Sequence, residues 1–265
     1  MDGWSLVILA IVQGITEFLP ISSSGHLILV PYLFGFADQG LAADVAVHLG
    51  SLLAVVLFFR QDIAVLWFAW WRAVRHRQSS GESRLAWSII LATVPVMICG
   101  WLLKDWVASD LRAPWIIATT TLVFGLLLAW TDYYGARQRT LNELSLRDAG
   151  WIGLAQVLAL IPGTSRSGIT MTAGLWLGLS RQAAARFSFL LSMPTILAAS
   201  VLVTVDLMQS PEPVAWAELG MTLMLSAITA YLCIHFFLRF IEQVGMWPFV
   251  IYRILLSGLI FVIIS

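Results

Sequence analysis

Apolar residues run along this chain in long unbroken blocks, without the one-sided stripes of a soluble helix. A bilayer span needs about 20 such residues. Full-length blocks lie at 43–60, 85–104, 114–131, 184–206, 215–238 and 246–264. Two further apolar regions, 4–35 and 149–180, are each interrupted near the middle by a proline and a cluster of hydroxyl residues. Each reads as two half-length helices meeting at the break, as in a re-entrant hairpin. The pattern predicts an all-α polytopic membrane protein: six transmembrane helices plus two re-entrant helical hairpins. Eight ordinary helices with proline kinks is the alternative.

The two breaks say nearly the same thing. Pro20 and Pro162 stand 142 residues apart. The first leads into Ser22, Ser23, Ser24, Gly25 and His26, the second into Gly163, Thr164, Ser165, Arg166, Ser167 and Gly168. Arg166 is read as answering Ser24, and Leu160 as taking the position of Glu17. Non-helical backbone at membrane depth is tolerated only where protein or a water-filled cavity surrounds it. Paired breaks in two halves point to a site at the repeat interface. The chain is therefore expected to be a single integral membrane domain, 1–265, with inverted-topology halves 1–131 and 149–265 joined by loop 132–148.

Arginines set the orientation. Loop 60–84 carries Arg60, Arg72, Arg75, Arg77 and Arg84, and loop 132–148 carries Arg137, Arg139 and Arg147. Arg239 and Arg253 are taken to flank the turn before the last span. The positive-inside rule places these loops in the cytoplasm. Segment 149–180 then enters and leaves on that side, and 4–35 on the other. The aromatic, arginine-bearing stretch 67–77 reads as an interfacial amphipathic helix.

Composition agrees with this picture. The chain is 60% hydrophobic and 11% charged over 265 residues, against roughly 25% charged in soluble domains. Net charge is zero, which argues against nucleic acid as a partner. Its 13 tryptophans suit interface anchoring. Cys99 and Cys233 lie in apolar segments and read as packing residues.

Chemistry concentrates at the breaks. Gln13 and Glu17 share a helical face, and an acid deep in an apolar segment usually marks a function or a partner. The alternative is a Glu17 that snorkels to an interface. Ser22, Ser23 and Ser24 suit helix caps. A helix starting there turns free N–H groups toward the break, which favours an anion. His26 falls three residues after Ser23, the pairing needed to activate a nucleophile; caps and a packed histidine are the bland alternative. Arg166 offers a fork of donors matching phosphate oxygens, or else a structural ion pair with Glu17. Thr170 lies one turn further. His48 reads as a buried, hydrogen-bonded histidine.

Gln13–Glu17 with Pro20–His26, and Pro162–Gly168, resemble the two signatures of the undecaprenyl pyrophosphate phosphatase (bacitracin-resistance) family, over essentially the whole chain. Gln13 takes the neutral option at a position where the family has Glu or Gln. The resemblance implies hydrolysis of a C55 isoprenyl diphosphate, recycling the lipid carrier of cell-wall synthesis, with Mg2+ or Ca2+ as cofactor. It implies Glu17, Ser23, His26 and Arg166 as catalytic residues, with Glu17 also a metal ligand. Gln13, Ser22, Ser24, Gly163, Thr164, Ser165, Ser167 and Thr170 would bind substrate. The partners are then the polyprenyl diphosphate and membrane lipids, with a homodimer left open. The location is the bacterial inner membrane, with the site opening to the periplasmic face. A transporter of polyprenyl phosphate lipid is the rival reading, because inverted repeats with broken helices are also a transporter architecture.

Overall fold

The computed structural model describes residues 3–23, 25–27, 40–208 and 215–264. Its ordered elements are α1 (Gly3–Thr16), α2 (Gly40–Phe58), α3 (Arg60–His76), α4 (Gly81–Leu102), α5 (Lys104–Ser109), α6 (Pro114–Tyr134), α7 (Leu146–Val157), α8 (Arg166–Trp176), α9 (Arg181–Met208), α10 (Trp216–Val244) and α11 (Trp247–Ile264). No strand occurs among the described residues. The six apolar blocks coincide with α2, α4, α6, α9, α10 and α11. Five of these, all but α2, are individually long and apolar enough to cross a membrane, and α2 passes that test together with α3. The chain is an all-helical, multi-span membrane protein.

Helix ends follow local chemistry. Ser80 and Ser83 form a capping box at the start of α4, and Ser145 with Asp148 does the same for α7. Pro114 opens α6 at the position where its missing N–H costs nothing. Between α2 and α3 the axis bends by 75°. Along α3, Leu66 and Ala69 are buried while Trp67, Phe68, Trp71 and Val74 are exposed. The amphipathic helix thus exists, but it begins at Arg60, seven residues before the predicted start.

The packing partners exchange between halves. α1 lies on α10 and α7 on α4; α2 packs on α10 and α9 on α4. α6 meets α11, and α2 meets α9. Backbones approach closely at the first two pairs. A Cβ at Gly14 would stand 2.8 Å from Ser226 O, and one at Gly153 would stand 2.6 Å from Ala92 Cα. The main core gathers Phe18, Phe59, Phe187, Phe189 and Phe237.

One end of the bundle is laced by arginines. Arg181 grips Asp132 with Nε at 2.6 Å and Nη2 at 2.9 Å. Arg186 reaches Asp62 at 2.7 Å. Arg139 bridges the start of α7, through Asp148 at 2.6 Å, to the end of α8, through Leu177 O at 2.8 Å. The α7–α8 segment therefore starts and finishes at the same end. At 1.5 Å per residue each of its helices spans only ~16–18 Å, about half a hydrocarbon core.

Candidate active site

The first break is built at the end of α1. Gln13 and Glu17 stand one turn apart, and Glu17 N–H donates to Gln13 O at 2.9 Å. The chain then turns through 17–21, anchored by Phe18, which is fully buried against the Phe189 ring at 5.2 Å. Ser22 has φ 74°. Its Oγ accepts from Gly25 N at 3.3 Å, capping the helical turn that begins at Ser23. The second break repeats the device: Ser165, φ 70°, accepts from Gly168 N at 3.1 Å and caps α8. Such backbone costs roughly 1–3 kcal/mol per non-glycine residue and collects at functional sites. Just before it, Gly163 has φ 90°, and a Cβ there would stand 2.2 Å from Thr120 Oγ1; only glycine fits.

The caps correct the register of the repeat. Ser22 with Ser165, and Gly25 with Gly168, are each 143 residues apart. Arg166 therefore answers Ser23, the serine that begins the helical turn, and the prolines are offset by one.

The two tips touch. Arg166 Nη2 donates to Glu17 Oε1 at 3.2 Å and to Glu17 O at 3.3 Å. Ser167 Oγ donates to Leu19 O at 2.8 Å. Glu17 Oε2 accepts from Gln13 Nε2 at 2.9 Å and from Ser23 Oγ at 2.9 Å. Both members of the ion pair are buried, with side-chain exposures of 7% for Glu17 and 12% for Arg166. Removing either would strand a charge in a dry interior.

Several expected roles change. His26 does not pair with Ser23. The cap at Ser22 folds the imidazole back, so Nδ1 lies 2.7 Å from Ser22 O and Nε2 lies 2.5 Å from the Tyr252 hydroxyl. The group beside Ser23 is the Glu17 carboxylate, which accepts from Ser23 Oγ. Thr170 Oγ1 is taken up by Arg166 O at 2.9 Å and Ser188 Oγ at 2.7 Å, one turn behind the guanidinium. Ser22 and Ser165 act as caps, and Ser167 staples the tips. Ser24 lies outside the described residues. His48 Nδ1 meets Asp44 O of its own helix at 2.7 Å; it is hydrogen-bonded as expected, but only partly buried.

Sequence reasoning missed Arg253. It does not flank a surface turn: it lies inside α11 with no exposed surface. Its guanidinium donates to Thr121 O at 2.9 Å, Thr164 O at 3.0 Å, Gly163 O at 3.0 Å, Pro20 O at 3.3 Å and Thr120 O at 3.4 Å. One side chain thus ties both breaks to α6. The signal was present, since an arginine within an apolar span is a functional candidate by default.

Buried polar atoms are nearly always paired. Among the described residues the buried side-chain atoms without a partner are Gln13 Oε1, Trp70 Nε1, Thr164 Oγ1, Arg166 Nε and Ser200 Oγ. Three of these five belong to the breaks. Arg166 Nε is a donor and Thr164 Oγ1 can donate, as an anion requires; Gln13 Oε1 is an acceptor, as a cation requires. No group of three or more His, Cys, Asp and Glu that could hold a metal occurs among the described residues. A cation here would have Glu17 and the Gln13 amide oxygen as protein ligands.

The family model for bacitracin resistance protein BacA matches residues 6–259. The chain is 55% identical, over all of its length and 99% of the relative's, to a Stutzerimonas stutzeri protein named undecaprenyl-diphosphatase 2. It is 54% identical to an undecaprenyl-diphosphatase of Alteromonas mediterranea, covering 98% of both chains. Identity to an undecaprenyl-diphosphatase of Nitrosococcus oceani is 52%, covering both chains fully. With both broken-helix motifs in place and the match running nearly end to end, the chain belongs to the bacitracin resistance protein BacA family.

Proposed function

We propose that this chain hydrolyses undecaprenyl diphosphate to undecaprenyl phosphate and inorganic phosphate, recycling the lipid carrier for cell-wall synthesis and so conferring bacitracin resistance. The observation that carries the chemistry is the convergence of Ser23, Glu17 and Arg166, with three unsatisfied polar atoms, where two broken helices meet. The enzyme is a membrane-embedded phosphatase.

In the mechanism, Ser23 Oγ attacks the terminal phosphorus while its proton passes to Glu17 Oε2, already its hydrogen-bond partner at 2.9 Å. The phosphoanhydride bond breaks and the lipid monophosphate leaves. Water then attacks the phosphoserine with His26 as proton acceptor, and Ser23 recovers its proton. Arg166 exchanges its contact with Glu17 for the phosphoryl oxygens, whose charge must be stabilised in the transition state. α8 starts at Arg166 itself, and a helix N-terminus favours an anion. Mg2+ or Ca2+ fits as cofactor. Glu17 and Gln13 Oε1 would hold it, the diphosphate would complete its shell, and it would supply further charge neutralisation.

In the membrane, α1 with the helical turn after Ser22, and α7 with α8, act as two re-entrant hairpins in an inverted repeat, within one domain. The exchange of packing partners between halves supports this. The arginine-laced end faces the cytoplasm of a bacterial inner membrane, and the cleft opens to the periplasm. An apolar groove of about 420 Å³ beside Leu19, lined by Phe236 and Phe249 among others, offers surface for an isoprenoid tail. Every site residue lies in one chain, so a homodimer is not needed for catalysis.

The test is phosphate release from C55 diphosphate by purified protein in detergent. The expected result is one inorganic phosphate per lipid monophosphate, lost with chelator and restored by Mg2+ or Ca2+. Lipid movement in vesicles with no phosphate released would make the chain a carrier instead.

A further inference from the structure

α11 brings a second residue to the site beside Arg253. The Tyr252 hydroxyl lies 2.5 Å from His26 Nε2, and the two rings stack with centroids 5.5 Å apart and planes 10° from parallel. His26 is buried and Tyr252 half-exposed. The other imidazole nitrogen, Nδ1, faces Ser22 O at 2.7 Å. A carbonyl only accepts, so Nδ1 carries the hydrogen, an assignment made from its partner. The lone pair of Nε2 then accepts from Tyr252 O–H. Both ring nitrogens are thus fixed, Nδ1 by Ser22 O and Nε2 by a residue 226 positions away in sequence. The contacts joining Ser23, Glu17 and Arg166 make no use of Tyr252.

We infer that Tyr252 is a positioning residue for the hydrolysis. It sets the tautomer and orientation of His26, keeping the hydrogen on Nδ1 and the lone pair on Nε2; the attacking water displaces the Tyr252 hydroxyl from Nε2 and gives its proton there. The inference rests on the phosphatase reading. It assigns Tyr252 no contact with substrate; its effect passes through His26.

Tyr252→Phe keeps the ring stack and removes only the hydroxyl. Losing one such hydrogen bond predicts a kcat lower by about tenfold, with KM within about twofold of wild type. In a His26→Ala background the same change should alter kcat by less than about twofold. With 15N-labelled histidine in nanodiscs, the His26 Nε2 resonance should shift in Tyr252→Phe. Wild-type kcat in Tyr252→Phe, or a full Tyr252→Phe effect persisting without His26, would overturn the inference and leave the phosphatase reading standing. Wild-type protein that releases no phosphate would overturn both, whatever the nitrogen spectra show.

Discussion

Arg253→Lys tests whether the two breaks are held as one unit. Arginine donates to five carbonyls, three of them at 3.0 Å or less: Thr121 O, Gly163 O and Thr164 O. Lysine keeps the charge but is a single point on a shorter fork, and it leaves two or three of these acceptors without a donor. Side-chain hydrogen bonds inside membranes average ~0.6 kcal/mol and reach ~1.7 kcal/mol. The loss is therefore about 1–5 kcal/mol. At roughly 2–4 °C per kcal/mol, the melting temperature in detergent should fall by several degrees. Phosphate release, measured well below the transition, should drop about tenfold or more, because Pro20, Gly163 and Thr164 lose their common tie. No carboxylate lies within ion-pair distance of Arg253 among the described residues. Its carbonyl bonds hold the Gly163–Thr164 turn beside Arg166, so substrate or phosphate should raise the wild-type melting temperature more than that of the variant. A variant with the melting temperature, activity and phosphate response of wild type would refute this reasoning.

Glu17→Gln should nearly abolish turnover, whereas Gln13→Ala should cost far less, because Glu17 alone can take the Ser23 proton; the reverse order would remove Glu17 as the base. Cysteines placed at Ser79 and Gln138 should resist an impermeant reagent added to intact cells, and one at Asp110 should react; labelling at Ser79 from outside would invert the topology. At the arginine-laced end, burial alone would raise the Asp148 pKa, but Arg139 and the Ser145 N–H and hydroxyl together hold it below the usual carboxylate range. Asp148 therefore contributes stability above about pH 4 that is lost as pH falls through its folded pKa. The melting-temperature gap between wild type and Asp148→Asn should be open at pH 7 and closed at strongly acidic pH; a gap that stays constant would contradict the pairing.

The spans were legible because a 20-residue apolar block and a proline break are local signals, and each full-length block became a helix with ends within six residues of those predicted. Glu17 and Arg166 were legible for a related reason: charge inside an apolar segment is costly and so conspicuous. Arg253 obeys the same rule, yet its closeness to the start of the last span made it look like a topological marker. Ser23 with His26 illustrates the opposite error. Helical spacing put them on one face, but the imidazole turns its Nδ1 to Ser22 O and its Nε2 to Tyr252, on a helix that sequence spacing could not bring near. Caps also decided the repeat register, since Ser22 and Ser165 hold equivalent places while the prolines do not.

The central claim is that one break supplies the nucleophile and the other the phosphate cradle. Ser23→Ala tests it most directly, with phosphate release and C55 diphosphate binding measured on the same purified protein. The substitution leaves Arg166 and the caps at Ser22 and Ser165 in place. Phosphate release should fall by orders of magnitude while binding persists, because the loss is confined to the transition state. Hydrolysis at a near wild-type rate would contradict the account and move the attack to a water activated by Glu17.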